Sequence, residues 1–170
     1  MKLATTRGVL TMRPEAENGG DEPFLFLLFA AGRAPEMALM PLDETGKAFL
    51  LRTQFRSMTA SYRQQFPAAR FEIVELDGMP IGRLITDPQP DCIYYVDIAL
   101  LPETRRGGIA TALMTAVLDE PRQLGLPARV KVLSHNVPSL RLCQRIGFAP
   151  RAEIPPFVEL EWHAQNDRTG

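Results

Sequence analysis

The chain has 170 residues, 45% hydrophobic and 23% charged, with a net charge of -1. That length and apolar share suit one domain with an ordinary buried core. The near-zero charge supplies no basic field to recruit nucleic acid. The apolar run Phe24 to Ala31 is too short to span a bilayer and follows acidic Asp21 and Glu22, so no membrane partner is expected. Residues 1–12 hold basic residues but no continuous apolar core, so no signal peptide is expected. Cys92 and Cys143 make no disulfide framework and are expected as reduced thiols in a cytoplasmic protein. His135 and His163 are the only histidines, and neither Cys-x-x-Cys nor His-Glu-x-x-His occurs, so no metal is expected.

In chain order, Val9 to Arg13 reads as a first strand ending at Pro14. Asn18-Gly19-Gly20-Asp21 is a turn, with Asp21 as N-cap of a helix over about Pro23 to Gly32. Arg33 to Asp43 reads as loop, with Pro35 and Pro41 as breakers. Glu44 to Phe66 carries Phe49, Leu50, Phe55, Met58 and Tyr62 at helical spacing, and Pro67 closes that helix. Phe71 to Leu76 and Ile81 to Thr86, joined through Asp77-Gly78, form a hairpin. After the turn Asp87-Pro88-Gln89-Pro90, Ile93 to Leu101 fits a strand covered on both faces, and Asp97 is its one charge. A helix from Ile109 to Leu124, a strand from Ala128 to Leu133 and a helix from about Pro138 to Ile146 follow, the last stopped by Gly147. Phe157 to Trp162 is a last strand, and the tail from about residue 163 is polar. The order is mixed α/β in a single domain, antiparallel first and with a strand-helix-strand unit after it.

The densest chemistry lies in Arg105-Arg106-Gly107-Gly108-Ile109-Ala110, between the strand ending at Leu101 and the helix that follows. Adjacent glycines allow backbone N–H groups to converge on one anion. The helix start adds its unpaired N–H groups and its positive dipole end, and the arginines add charge. A phosphorylated ligand held mainly by backbone is expected there.

Those residues resemble the Arg/Gln-x-x-Gly-x-Gly/Ala signature of the GCN5-related N-acetyltransferases, with Arg105, Gly108 and Ala110 at its fixed positions. Downstream, Asn136-x-x-Ser139-x-x-Leu142-Cys143-x-x-Ile146-Gly147-Phe148 resembles the family's second block, Asn-x-x-Ala/Ser-x-x-Leu-Tyr-x-x-x-Gly-Phe. The resemblance covers Phe71 to Trp162 and is loose before it. It implies a mostly antiparallel mixed sheet with helices on both faces, splayed between its fourth and fifth strands. It also implies acetyl-CoA, as co-substrate, in the split. By that resemblance a bulge near Ile98, Ala99 and Leu100 would offer unpaired backbone to the pantetheine arm and thioester. Arg105 to Thr111 would hold the diphosphate, and Asn136 and Ser139 would lie along the cofactor.

The implied reaction is N-acetyl transfer to a primary amine, a small molecule first and a peptide or protein amine second, by direct attack in a ternary complex. An amine with a pKa near ~10.4 must first lose its proton. Asp97 is the first candidate base, because a carboxylate in an apolar strand is costly unless partnered or used, and desolvation would raise its pKa. The alternative is a structural Asp bound to backbone or an arginine. Tyr94 sits where some members place a base and would orient a water; it also fits as a core tyrosine. Cys143 stands where many members carry a tyrosine general acid, so it is either that acid with a shorter reach or small-residue packing. His135 touches the cofactor or simply ends a strand. Arg33, Phe55 and Arg56, with Tyr62, Tyr94 and Pro155-Pro156-Phe157, are candidate acceptor-wall residues, and Arg33 or Arg56 would hold a substrate carboxylate or phosphate. A non-catalytic acyl-CoA-binding module is the rival reading, and a homodimer is left open.

Overall fold

The computed structural model describes residues 1–104 and 107–164. Its centre is an eight-stranded sheet in the order β1-β2-β3-β4-β5-β6-β8-β7. The strands are β1 (Lys2–Thr5), β2 (Gly8–Pro14), β3 (Arg70–Leu76), β4 (Met79–Pro88), β5 (Ile93–Leu100), β6 (Ala128–Leu133), β7 (Ala149–Ile154) and β8 (Phe157–Trp162). The helices are α1 (Glu22–Ala38), α2 (Glu44–Gln65), α3 (Ile109–Val117), α4 (Asp119–Leu124) and α5 (Val137–Ile146). All pairings are antiparallel except β5 with β6.

The β3–β4 hairpin turns through Asp77 at φ 50° and Gly78 at φ 79°. Paired positive φ values match the right-handed twist of the flanking strands. Adjacent β3 residues then face opposite ways. Ile73 joins Leu25 and Phe55 in a core beneath α1 and α2, while Val74 joins Leu10, Ile109 and Leu113 in the larger core that takes in α3. Helices therefore cover both faces.

The structure corrects several boundaries. β1 lies ahead of the strand read as first and pairs along β2 from Lys2↔Thr11 to Thr5↔Gly8. The splay expected between the fourth and fifth strands accordingly falls between β5 and β6. α1 runs through Pro35 to Ala38 where a loop from Arg33 was expected. Met37 in its last turn is 6% exposed, and burying such a side chain is worth ~1.5–3 kcal/mol, enough to offset much of the proline penalty. Asp21 sits at the N-cap position without capping. Its carboxylate instead takes Arg13 Nη1 and Nη2, each at 2.7 Å, and the Ala16 N–H at 2.8 Å. Phe49, expected on the buried stripe of α2, is 73% exposed.

The expected helix Ile109 to Leu124 is two helices, broken at Leu118. Pro121 has no N–H, and its ring would strike the Val117 carbonyl in a continuous helix. That carbonyl accepts the Tyr95 hydroxyl at 2.6 Å instead.

Candidate active site

β5 and β6 pair only at Ile93↔Ala128, Tyr94↔Arg129 and Tyr95↔Val130. Beyond them the strands part: β5 stays with β4 as far as Leu100, and β6 stays with β8 along its whole length. The gap is a cleft of about 900 Å³. Its walls are Val96, Asp97 and Ile98 on one side and Val130 to Leu133 on the other, with the starts of α3 and α5 closing it.

The bulge in β5 is at Val96, where the register with β4 steps from Ile85↔Asp97 to Thr86↔Tyr95. It was expected at Ile98 to Leu100, but those residues pair regularly with Leu84, Arg83 and Gly82. The extra residue increases local twist and turns the strand away from β6. Ile98 and Leu100 line the cleft. Ala99 lies on the opposite face, in a second cavity. Gly82 is where β4 closes on β5: a Cβ there would sit 2.4 Å from the Ala99 carbonyl oxygen.

α3 begins at the cleft. Gly107 and Gly108 have φ of 93° and 79°, and no side chain caps the helix. Gly108, Ala110 and Thr111 line the cleft. Ile109, expected at the cofactor, is 0% exposed, packs in the core and does not line the cleft. A Cβ on Gly108 would meet nothing within 4 Å, so the backbone there faces open space. A Cβ on Gly107 would sit 2.6 Å from Arg7 Cδ, so the β1–β2 turn reaches over this loop. Arg105 and Arg106 lie outside the described residues.

On the far wall, Asn136 is the N-cap of α5, its side chain accepting the Ser139 N–H at 3.3 Å. Asn136, Ser139 and Cys143 all line the cleft, joined by the unforeseen cations Lys131, Arg141 and Arg145. Burial pushes the Cys143 thiol up to about 11. His135 is exposed and does not line the cleft.

A second cavity of about 240 Å³ lies between α1, α2 and strands β4 and β5. Tyr62 and Asp97 line both cavities, so the two meet there. Asp97 Oδ2 accepts Arg83 Nε at 3.0 Å and Nη2 at 2.5 Å. Arg83 is 7% exposed and stands 5.7 Å from the Tyr62 ring centre. Burial, then the Asp97 charge, pushes the Tyr62 hydroxyl up to about 12. The sequence reading missed Arg83. The available signal was a lone cation in β4 diagonal to the lone anion in β5, a contact that antiparallel register brings within reach.

The acceptor-wall expectations divide. Arg33 lines the second cavity. Phe55 does not; it is 5% exposed, with its ring against Phe26 and Phe29 at 5.5 and 5.7 Å. Helical spacing turns Phe55 toward the sheet, and Arg56, one residue on, toward solvent. Tyr94 lines neither cavity and stacks on Phe66 at 5.9 Å. Burial pushes its hydroxyl up to about 12. Phe157 stands at the cleft, whereas Pro155 and Pro156 line neither cavity. Among the described residues no group of His, Cys, Asp and Glu could hold a metal, and no helix is long and apolar enough to cross a membrane.

A mixed sheet split between parallel neighbours, with a glycine-led helix start aimed into the split, is the architecture of a CoA-dependent acyltransferase. The family model of the acetyltransferase (GNAT) family matches residues 41–148, and the chain belongs to that family. It is therefore an acetyl-CoA-dependent N-acetyltransferase. No curated protein matches it in sequence. RimJ of Mycobacterium smegmatis in complex with CoA-disulfide is similar at TM-score 0.69 and 18% identity, over 100% of this chain and 89% of that one. PaiA N-acetyltransferase of Thermoplasma acidophilum in complex with coenzyme A gives 0.66 and 14%, over 91% and 99%. The ribosomal-protein-S18-alanine N-acetyltransferase of Escherichia coli gives 0.63 and 14%, over 92% and 97%. At these identities the likeness is one of fold.

Proposed function

We propose that this enzyme acetylates the primary amine of a small molecule by direct attack on acetyl-CoA in a ternary complex. The observation that carries the reading is the meeting of two cavities at Tyr62 and Asp97. One, of about 900 Å³, has the volume for a nucleotide-bearing carrier and takes in the N-terminus of α3. The other is small and ends at a carboxylate.

The diphosphate would sit on the N–H groups at Gly108 to Thr111, where Gly108 offers backbone to open space and the helix dipole favours an anion. The resemblance adds Arg105 and Arg106 to that grip, and Arg141 and Arg145 supply further charge along the cleft. The pantetheine arm would run between the parted strands, beside Ile98 on one side and Asn136 and Ser139 on the other. Ile98 has no ladder partner on β6, so its backbone can pair with the pantetheine amides.

The acceptor amine would enter from the second cavity. Asp97, charge-compensated by Arg83 through Oδ2, has Oδ1 left to take the amine proton directly or through a water. The neutral amine, its ammonium proton already lost to solvent, attacks the thioester carbon. The C–N bond forms, the C–S bond breaks, the proton then released from the nitrogen passes through Asp97 to solvent, and CoA leaves as its thiolate. Holding both reactants at the junction supplies much of the rate.

The CoA thiolate takes its proton from bulk solvent after release in this scheme, so no side-chain acid is required. Burial, which pushes Cys143 up to about 11 and Tyr62 and Tyr94 up to about 12, makes none of them a ready donor. Cys143 is thus small-residue packing beside the cofactor. The two buried free thiols fit a reducing, cytoplasmic setting.

The test is CoA release from acetyl-CoA across a panel of small amines and peptides, with both substrates varied. Initial-rate lines that intersect and faster turnover of small amines support the reading; parallel lines or peptide-only turnover overturn it.

A further inference from the structure

We propose, resting on the acyl-transfer reading above, that the acceptor is a small apolar amino acid. Its amine lies at Tyr62 and Asp97, its carboxylate on Arg33, and its side chain against Leu25, Leu28 and Met58.

The argument starts from the charges of the second cavity, which holds Arg33, Arg83 and Asp97. Arg83 and Asp97 compensate each other through two hydrogen bonds to Oδ2. A compensated pair presents no net charge to a ligand, so it holds a neutral amine ready for attack rather than an ammonium. Arg33 is the remaining charge. Its neighbours hold it loosely: Glu36 Oε2 and Gln54 Oε1 are both 3.5 Å from Nη1, at the limit of hydrogen bonding. Glu36 is itself 62% exposed, whereas the Arg33 side chain is 40% exposed. The Phe29 ring lies 5.0 Å from the guanidinium carbon and fixes its place, leaving edge donors for a planar anion. Arg33 is also close enough to the junction for its charge to act on Tyr62.

The rest of the lining is apolar, from Leu25, Leu28, Phe29 and Met58. Leu25 and Leu28 are 4% and 5% exposed, so these walls are dry and favour a hydrocarbon side chain. The cavity therefore has a neutral amine site, one cation and an apolar wall within about 240 Å³. An apolar amino acid satisfies all three. A peptide N-terminus brings a neutral amide, and a lysine side chain an uncharged methylene, to the place where Arg33 calls for an anion, and either needs an exit for the following chain.

The experiment uses the full chain with acetyl-CoA. Leucine, methionine and phenylalanine are compared with their methyl esters and with the matching decarboxylated amines, following CoA release. In parallel, calorimetry measures phenylalanine binding to the protein saturated with CoA. The acids are expected to exceed the decarboxylated amines in kcat/KM by about 10- to 100-fold, the worth of one charge-assisted contact. Arg33→Ala, with its melting temperature checked, should bring that ratio close to one, mainly through KM, and weaken phenylalanine binding by a similar factor. Arg33→Lys should restore part of both. Equal turnover of acids and decarboxylated amines overturns the acceptor assignment and leaves acyl transfer standing. Peptide turnover with no binding of free amino acid does the same. Phenylalanine binding that depends on Arg33, with no CoA release from any amine, supports the acceptor site and overturns the transfer reading instead.

Discussion

Gly108→Val separates the fold from the grip on CoA. Gly108 stands at φ 79° and ψ 0°, and a Cβ placed on it meets no atom within 4 Å. The cost to folding is therefore conformational alone, ~1–2 kcal/mol for an L-residue in the left-handed region. At this chain length that lowers the melting temperature by roughly 2–8 °C. The cost to the ligand is larger. The valine methyls would stand in the open space before the N–H groups at the start of α3, displacing the diphosphate from about two charge-assisted hydrogen bonds of ~1.5–3 kcal/mol each. The sum, ~3–6 kcal/mol, raises the Kd for CoA by about 10²- to 10⁴-fold. Gly108→Ala shares the backbone cost with a smaller obstruction and should fall between. Calorimetric titration with CoA, beside a thermal melt of each variant, gives both numbers. A folded Gly108→Val protein binding CoA within about threefold of the parent would refute the assignment of this loop.

Asp97→Asn should lower kcat about 100-fold with CoA affinity nearly unchanged, measured by steady-state rates and titration, because the amide accepts no proton from the amine. Unchanged kcat across pH 6 to 9 would leave Asp97 a purely structural partner of Arg83. Asp21→Ala should lower stability by ~2 kcal/mol at pH 7 through loss of its bonds to Arg13 and Ala16. Arg13 holds the Asp21 carboxyl below its usual value, so that contribution is present above about pH 4 and fades as pH falls through the folded pKa. A gap between parent and variant that stays constant to pH 2 in denaturant melts would contradict this. Cys143, raised to about 11 by burial, should alkylate slowly at pH 8 and faster by about tenfold per unit as pH rises. Rapid labelling at pH 7, followed by mass spectrometry, would revive it as a reactive thiol. Gly82→Ala should destabilise by ~2 kcal/mol or more in denaturant titration, since its Cβ would press on the Ala99 carbonyl at 2.4 Å and Leu100 Cδ2 at 2.5 Å. An equally stable variant would mean that β4 and β5 can part freely at this point.

Local chemistry made much of this protein legible in the sequence. Asp77-Gly78 demanded a tight hairpin. Gly107-Gly108 before an apolar helix pattern marked the loop, and Asn136 followed by Pro138 marked the start of α5. Each is a case where neighbours in sequence carry the cause. The failures lie where the cause is distant. Pro35 reads as a breaker until Met37 is seen buried beyond it, and Asp21 reads as a cap until Arg13 arrives from the adjoining strand. Phe55 reads as a pocket wall because helical spacing gives the stripe but not what the stripe faces.

The sequence by itself determined most of the order of elements, the mixed α/β class and the position of the glycine loop, because turn chemistry, periodicity and two short blocks act over a few residues. Tertiary structure alone decided how the sheet opens and what meets in the opening. The Val96 bulge, the parting of β5 from β6, the Arg83–Asp97 pair and the placing of Arg33 beside Tyr62 all depend on register between strands and on the packing of α1 and α2 across them. Those are contacts between residues far apart in the chain, fixed by burial and charge compensation only after the backbone has folded.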